Sequence, residues 1–173
     1  MKVLVAVASR HGSTREIGEA IGEVIAGAGF VVDVHDPDDV ESLEGYDAVV
    51  LGSSVYVGRW AASARAMVDR LAAGLSSRPV WLFSSGPVGV PAVPAGDPEE
   101  VGPLMTRLGA RGHRTFAGAL DRGGLGMAER AVVALVKAEH GDFRRWEDIQ
   151  DWAQQIVEEL SAEIERRRRS AVR

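Results

Sequence analysis

Between an apolar run at residues 3–8 and a helix-spaced apolar series beginning at Ile17 stands the segment Ser9-Arg10-His11-Gly12-Ser13-Thr14. These residue types suit an anion. A helix opening near Ser13 turns its first free N–H groups and the positive end of its dipole into the loop. Ser9, Ser13 and Thr14 add hydroxyl donors, Arg10 and His11 add charge, and Gly12 permits a tight backbone. A plainer reading is that Ser13 or Thr14 caps the helix. From the residues alone both stand.

Two later segments have the same make: GSSVYVGRW at 52–60 and SSGPVG at 84–89. Both follow apolar, strand-like runs and are built from small, hydroxyl-bearing and glycine residues. Three such loops at one sheet edge point to a shared site, because backbone approaches a ligand closely only where side chains are small.

Other chemistries are excluded by what is missing. Without G-x-G-x-x-G after the first strand or G-K-[ST] anywhere, a dinucleotide fingerprint and a triphosphate loop fall away. The first and third strands end in Ala-Ser and Gly-Ser, not in the carboxylates of a phospho-receiver. No G-x-S-x-G elbow occurs, and the four histidines, His11, His35, His113 and His140, are too scattered for metal spacing. The absence of cysteine removes disulfides, thiol catalysis and iron–sulfur ligation, and fits a reducing compartment.

The elements that position these loops follow from periodicity. Residues 3–8 form a continuous β-prone run, as in a strand buried on both faces. Ile17, Ile21, Val24 and Ile25 mark one face of a helix ending near Gly27 and Gly29. Strands are expected at 30–34, 48–51, 79–83 and 115–120. The acidic DPDDVESLEGYD stretch is expected as a loop with a short helical turn. Helices are expected at 60–71 (Ala64, Met67, Val68 and Leu71 inward), 99–108, 128–138, and from Trp146, where Ile149, Trp152, Ile156, Leu160 and Ile164 share a stripe. The loop SSGPVGVPAVPAGDP is too rich in Gly and Pro to be regular. Alternating strands and helices predict an α/β doubly wound, five-stranded parallel sheet with helices on both faces, in a single domain over 1–173. Ligands of such sheets sit beyond the carboxyl ends of the strands, where the strand order reverses.

The chain has 173 residues, 46% of them hydrophobic and 26% charged, which is ordinary for a globular domain with a real core. Its net charge of -5 argues against a nucleic-acid partner. Lys2 and Lys137 are the only lysines, all other basic residues of that count being arginine. No stretch approaches the ~20 apolar residues of a membrane span, and the N-terminal run is too short for a signal peptide. The expectation is a cytoplasmic protein. The tail AEIERRRRSAVR raises a peripheral contact with anionic lipid; the plainer reading is a solvated helix end whose cations suit the dipole.

The pattern [S/T]-x-x-G-x-T, here Ser9 to Thr14 after an apolar strand, resembles the phosphate loop of the flavodoxins, which bind FMN. More narrowly, GSSVYVGRWAASARAMVDR resembles the corresponding loop and helix of the bacterial menaquinone-dependent protoporphyrinogen IX dehydrogenase branch. FAGALDRG, the following helix and W-E-D-I-Q-D-W-A are similar to that branch too. The resemblance implies a flavodoxin-like sheet of order 2-1-3-4-5. It implies that Ser9, Arg10, His11, Gly12, Ser13 and Thr14 hold the FMN phosphate. Ser53, Ser54, Val55, Tyr56, Val57 and Gly58 would line one side of the isoalloxazine, and Ser84, Ser85, Gly86 and Gly89 the other. Tyr56 and Trp60 are candidates to stack on the ring, with packing beneath the loop as the alternative. Tyr56 stands where the dehydrogenase branch tends to have a basic residue. The third loop carries no aromatic and is long and Pro-rich, which leaves one flavin face open.

An open face suits an FMN-dependent oxidoreductase that takes electrons from a small organic substrate and passes them to a quinone or other acceptor. The alternatives are a non-catalytic electron carrier whose acidic surface docks a redox partner protein, and a flavin-free module. No catalytic acid or base and no metal site is compelled. A deazaflavin in place of FMN, and a homo-oligomer, stay open.

Overall fold

The computed structural model describes residues 1–86, 88, 96–120 and 141–171. β1 (Lys2–Ala8) lies between β2 (Val31–His35) and β3 (Ala48–Tyr56), and β3 pairs in turn with β5 (Val80–Ser85), which pairs with β6 (Gly112–Phe116). All four pairings are parallel, with Leu4 opposite Asp33, Val5 opposite Val50, Leu51 opposite Leu82 and Phe83 opposite Arg114. β4 (Arg59–Trp60) folds back antiparallel on the end of β3. With that hairpin arm set aside, the order β2-β1-β3-β5-β6 is the expected 2-1-3-4-5. A separate ribbon pairs β7 (Ala119–Leu120) with β8 (Gly141–Asp142).

The helices divide between the faces. α1 (Ser13–Gly27) and α4 (Trp146–Ala171) cover one, where Val3, Val5, Val7, Phe83 and Phe116 pack on Ile17, Ile21, Ile25, Ile149, Trp152, Ile156 and Leu160. α2 (Ala62–Ser76) and α3 (Val101–Leu108) cover the other, meeting Leu4, Ala6, Leu51 and Leu82 with Ala64, Met67, Val68, Leu75, Val101 and Leu108. Val3 to Ala8 are each no more than 1% exposed, which is why β1 reads as unbroken hydrophobicity rather than alternation. α1 sits unusually close to the sheet at Gly18, where a Cβ would fall 2.2 Å from Val7 Cγ2. Only glycine fits there.

Several boundaries differ from expectation. The third strand does not end at Leu51 but continues through GSSVY to Tyr56. Val55 and Tyr56 are good strand formers, and a two-residue turn at Val57 (φ 49°) and Gly58 (φ 71°) returns the chain as β4. Trp60 is therefore a strand residue, and the helix expected at 60–71 runs Ala62–Ser76 instead. The strand expected at 115–120 is split: Gly112–Phe116 pairs with β5, and Ala119–Leu120 belongs to the ribbon. The short helical turn of the acidic stretch is a 3-10 turn, Pro37–Asp39, where the Asp36 carboxylate accepts from Asp38 N–H. The helix expected at 128–138 lies outside the described residues.

Candidate functional site

At the carboxyl end of the sheet, β1 passes into α1 through Ser9–Gly12. The helix has Gly12 at its N-cap, at φ 90°, and no side chain caps it. Ser13 and Thr14 are thus the first helical residues, and the capping reading of their hydroxyls fails. The Ser9 hydroxyl instead accepts from Gly12 N–H at 3.1 Å and holds the turn. The first helical hydrogen bond runs from Glu16 N–H to Gly12 C=O, so the amides of Ser13, Thr14 and Arg15 open towards the loop with no carbonyl below them. Thr14 is buried, and Arg10, His11 and Gly12 are exposed. Free helix-start amides of this kind are the backbone geometry that suits an anion.

The hairpin forms the next wall. Ser53 Oγ donates to Ser54 C=O and accepts from Ala61 N–H, both at 2.9 Å, tying the hairpin base. Val57 is 71% exposed at the tip, a β-branched residue in left-handed backbone. The Arg10 guanidinium lies 5.2 Å from the centroid of the Tyr56 ring, so the phosphate-type loop and the hairpin touch. Trp60 takes the packing alternative: it is 2% exposed, and its indole N–H donates to Ser84 Oγ at 2.8 Å.

At the end of β5, Ser84 is fully buried, and Ser85 is 2% exposed with a hydroxyl that has no hydrogen-bond partner among the described residues. Gly86 lies against the hairpin, where a Cβ would approach Val55 C=O to 3.0 Å. Gly89 lies outside the described residues. Between hairpin and sheet edge opens a cavity of about 600 Å³, walled by Val55, Val57, Gly58 and Arg59 on one side and by Asp97, Glu100 and Thr115 on the other.

Behind that cavity runs a polar network that sequence reading did not find. Glu100 accepts from the backbone N–H of Trp60. Thr115 donates to Asp97, whose other oxygen lies 3.7 Å from His113 Nδ1. Ser84 Oγ is 2.9 Å from His113 Nε2. An indole N–H can only donate, so Ser84 Oγ accepts from Trp60, and the direction of its contact with His113 Nε2 is set by the imidazole tautomer. Burial holds His113 below the ordinary imidazole range, with Asp97 pulling the other way. The Ser–His–Asp composition invites a nucleophile reading. It does not hold: Ser84 is fully buried and its oxygen is engaged by Trp60.

A second contributor the sequence did not reveal is Arg144, just before α4. Its side chain is 8% exposed and reaches Ser13 C=O at 3.1 Å and Glu16 Oε2 at 2.7 Å, both in the first turn of α1. A separation of 131 residues hid that contact.

The flavodoxin-domain family profile matches residues 4–146. This chain belongs to the flavodoxin domain family. Over 86 residues it is 31% identical to protoporphyrinogen IX dehydrogenase [quinone] of Escherichia coli strain K12, an alignment covering 49% of this chain and 48% of that protein. The chain thus spans about half the length of the curated relatives it matches. Among solved structures it is similar to an archaeal flavodoxin (18% identity, TM-score 0.66, covering 93% of this chain and 99% of that one). It is also similar to oxidised flavodoxin 1 of Bacillus cereus (16%, 0.62, 91% and 98%). Rubredoxin oxygen:oxidoreductase of Desulfovibrio gigas matches at 14% identity and TM-score 0.67, over 94% of this chain and 37% of that one. At such identities the structural likeness speaks for the fold.

FMN is the cofactor of the flavodoxin family. The residues present fit it. The free amides of Ser13–Arg15 suit a phosphate dianion, and the buried Ser85 hydroxyl at the same sheet edge, without a partner among the described residues, suits a polar group of the flavin.

Proposed function

We propose that this chain is an FMN-dependent oxidoreductase, taking electrons from a small organic substrate and passing them to a quinone-type acceptor. The observation that carries the reading is the amide nest at the start of α1 with a cavity of about 600 Å³ at the same sheet edge. Bound FMN supplies a two-electron centre that also exchanges single electrons. The protein's part is to bind and shape. Amides of Ser13, Thr14 and Arg15, with the Ser9, Ser13 and Thr14 hydroxyls, hold the phosphate. Backbone of Val55–Gly58 and the ends of β5 flank the ring. Arg59, Asp97 and Glu100 give the cavity polar walls that orient a substrate bearing both apolar and polar groups. The partial identity to a quinone-linked protoporphyrinogen dehydrogenase supports this substrate class.

The nest is tested by calorimetric titration of flavin-free protein with FMN and with riboflavin, which lacks the phosphate. FMN binds more tightly if the assignment holds; equal affinities sink it. Thr14→Val should weaken FMN binding about tenfold, the loss of one hydrogen bond to a charged group, while unfolding midpoints move little.

A second reading, a carrier between protein partners, is favoured by the net charge of -5 and by the exposed Tyr56 and Val57 beside the site. Turnover of protoporphyrinogen with a soluble menaquinone analogue and no partner protein separates the two. Activity there excludes the pure carrier.

A further inference from the structure

We propose that Arg144 is a positioning residue for the anion nest: it aims the Thr14 amide and neutralises the one carboxylate in the first turn of α1. The inference rests on the phosphate assignment above and goes beyond it, to a residue on the far side of the sequence.

All three guanidinium nitrogens are engaged. Nε and Nη2 bind the two oxygens of Asp142 at 2.8 and 2.6 Å, and Nη1 reaches both Glu16 Oε2 and Ser13 C=O. Trp146 closes over it, with its ring centroid 4.7 Å from the guanidinium carbon. The anchor is itself fixed: Asp142 sits in β8, opposite Ala119, and Phe143 N–H donates to Gly118 C=O.

Two effects follow at the nest. Ser13 C=O and Thr14 N–H belong to one planar peptide unit, with oxygen and hydrogen on opposite sides. A guanidinium that pins the Ser13 oxygen therefore also fixes where the Thr14 N–H points, and polarises it as a donor. The second effect is charge. Glu16 is the only acidic residue in the first turn of α1, where a carboxylate competes with any bound anion for the positive helix end. Arg144 draws that carboxylate aside at 2.7 Å. Without it, Glu16 and Asp142 would leave two uncompensated negative charges beside a phosphate dianion.

The test is calorimetry of flavin-free protein with FMN, riboflavin and inorganic phosphate. Wild-type preference for FMN over riboflavin establishes the nest; its absence overturns nest and inference together. With the preference in hand, Arg144→Gln is expected to lower affinity for FMN and for inorganic phosphate about tenfold and to leave riboflavin within about twofold. Adding Glu16→Gln to Arg144→Gln recovers part of the FMN loss. Glu16→Gln alone, an exposed substitution that does not endanger folding, raises FMN affinity with riboflavin unchanged. Unchanged FMN binding in Arg144→Gln, or parallel losses of FMN and riboflavin, overturns the inference. So does a fall in FMN affinity in Glu16→Gln. If Arg144→Gln does not fold, the Glu16→Gln result decides.

Discussion

Val57 holds left-handed backbone at φ 49°, a conformation that costs a β-branched residue of order 1–2 kcal/mol, and does so with its side chain mostly in solvent. Nothing in its own packing offsets that cost. Val57→Gly is expected to raise stability by about 1 kcal/mol in denaturant unfolding; a loss of stability would show that the tip is not strained. His113 carries a different signature. Its folded imidazole binds a proton less readily than the ordinary group, for which 6.5 is the reference, so the unfolded chain takes up the proton first as pH falls. The contribution is intact above that range and is lost as the pH drops from there towards the lowered folded value. His113→Gln should flatten the decline in melting temperature between about pH 7 and pH 5; an unchanged slope refutes the assignment. At this scale the sequence was half legible. Ser9 to Thr14 marked the turn into α1 by type, but the pinning of Gly12 by Ser9, rather than capping by Ser13 or Thr14, depends on a φ that residue names do not state. The His113–Ser84–Trp60–Glu100 network joins residues from four separate segments, and nothing local marks it.

Among the elements, those read from long runs came out at nearly their true extent: β1 is buried on both faces, α1 and α4 bury most of the stripes expected of them, and α3 begins two residues later than expected. The misreadings sit where a tertiary pairing overrode local composition. GSSVYVG looked like a small-residue turn, yet pairing of Val55 with Trp60 and of Tyr56 with Arg59 makes most of it strand. That pairing took Trp60 out of the following helix and turned its ring under the sheet edge. α4 shows the reverse case, a clear helix whose partner could not be read. Trp152 meets Phe116 and Phe83 edge-on at centroid distances of 5.6 and 6.2 Å, so the last helix is clamped to β5 and β6. Trp152→Ala should cost about 3–5 kcal/mol by denaturant midpoint. A cost under about 1 kcal/mol would mean that the helix is held elsewhere.

For the molecule as a whole, the doubly wound sheet was legible because alternation of strand and helix admits few topologies, while its order came from the resemblance to the flavodoxins. Location and assembly were not, since neither leaves a periodic trace. Among the described residues no helix is long and apolar enough to cross a membrane. Three of the four arginines at the end of α4 are paired: Arg166 and Arg167 meet Glu163 at 2.7 and 3.2 Å, and Arg168 lies 3.7 Å from Glu165. Three arginines together, Arg166, Arg111 and Arg167, hold the Glu163 carboxyl down to about 2. Glu163 and Glu165, set among these arginines, offset part of the run's charge, which weakens its attraction for anionic lipid. Flotation with vesicles rich in anionic lipid should leave the protein at the bottom of the gradient, and lipid-dependent recovery at the top would restore the membrane reading.

Gly18 lies on the underside of α1, facing Val7, well below the mouth where a guest enters. A single methyl group placed there cannot be absorbed by side-chain movement alone, so the helix must lift, and its first turn lifts with it. Grip on a cofactor is therefore exposed to changes that never touch it, and the spacing between two buried backbones becomes a determinant of holding as much as any group at the surface.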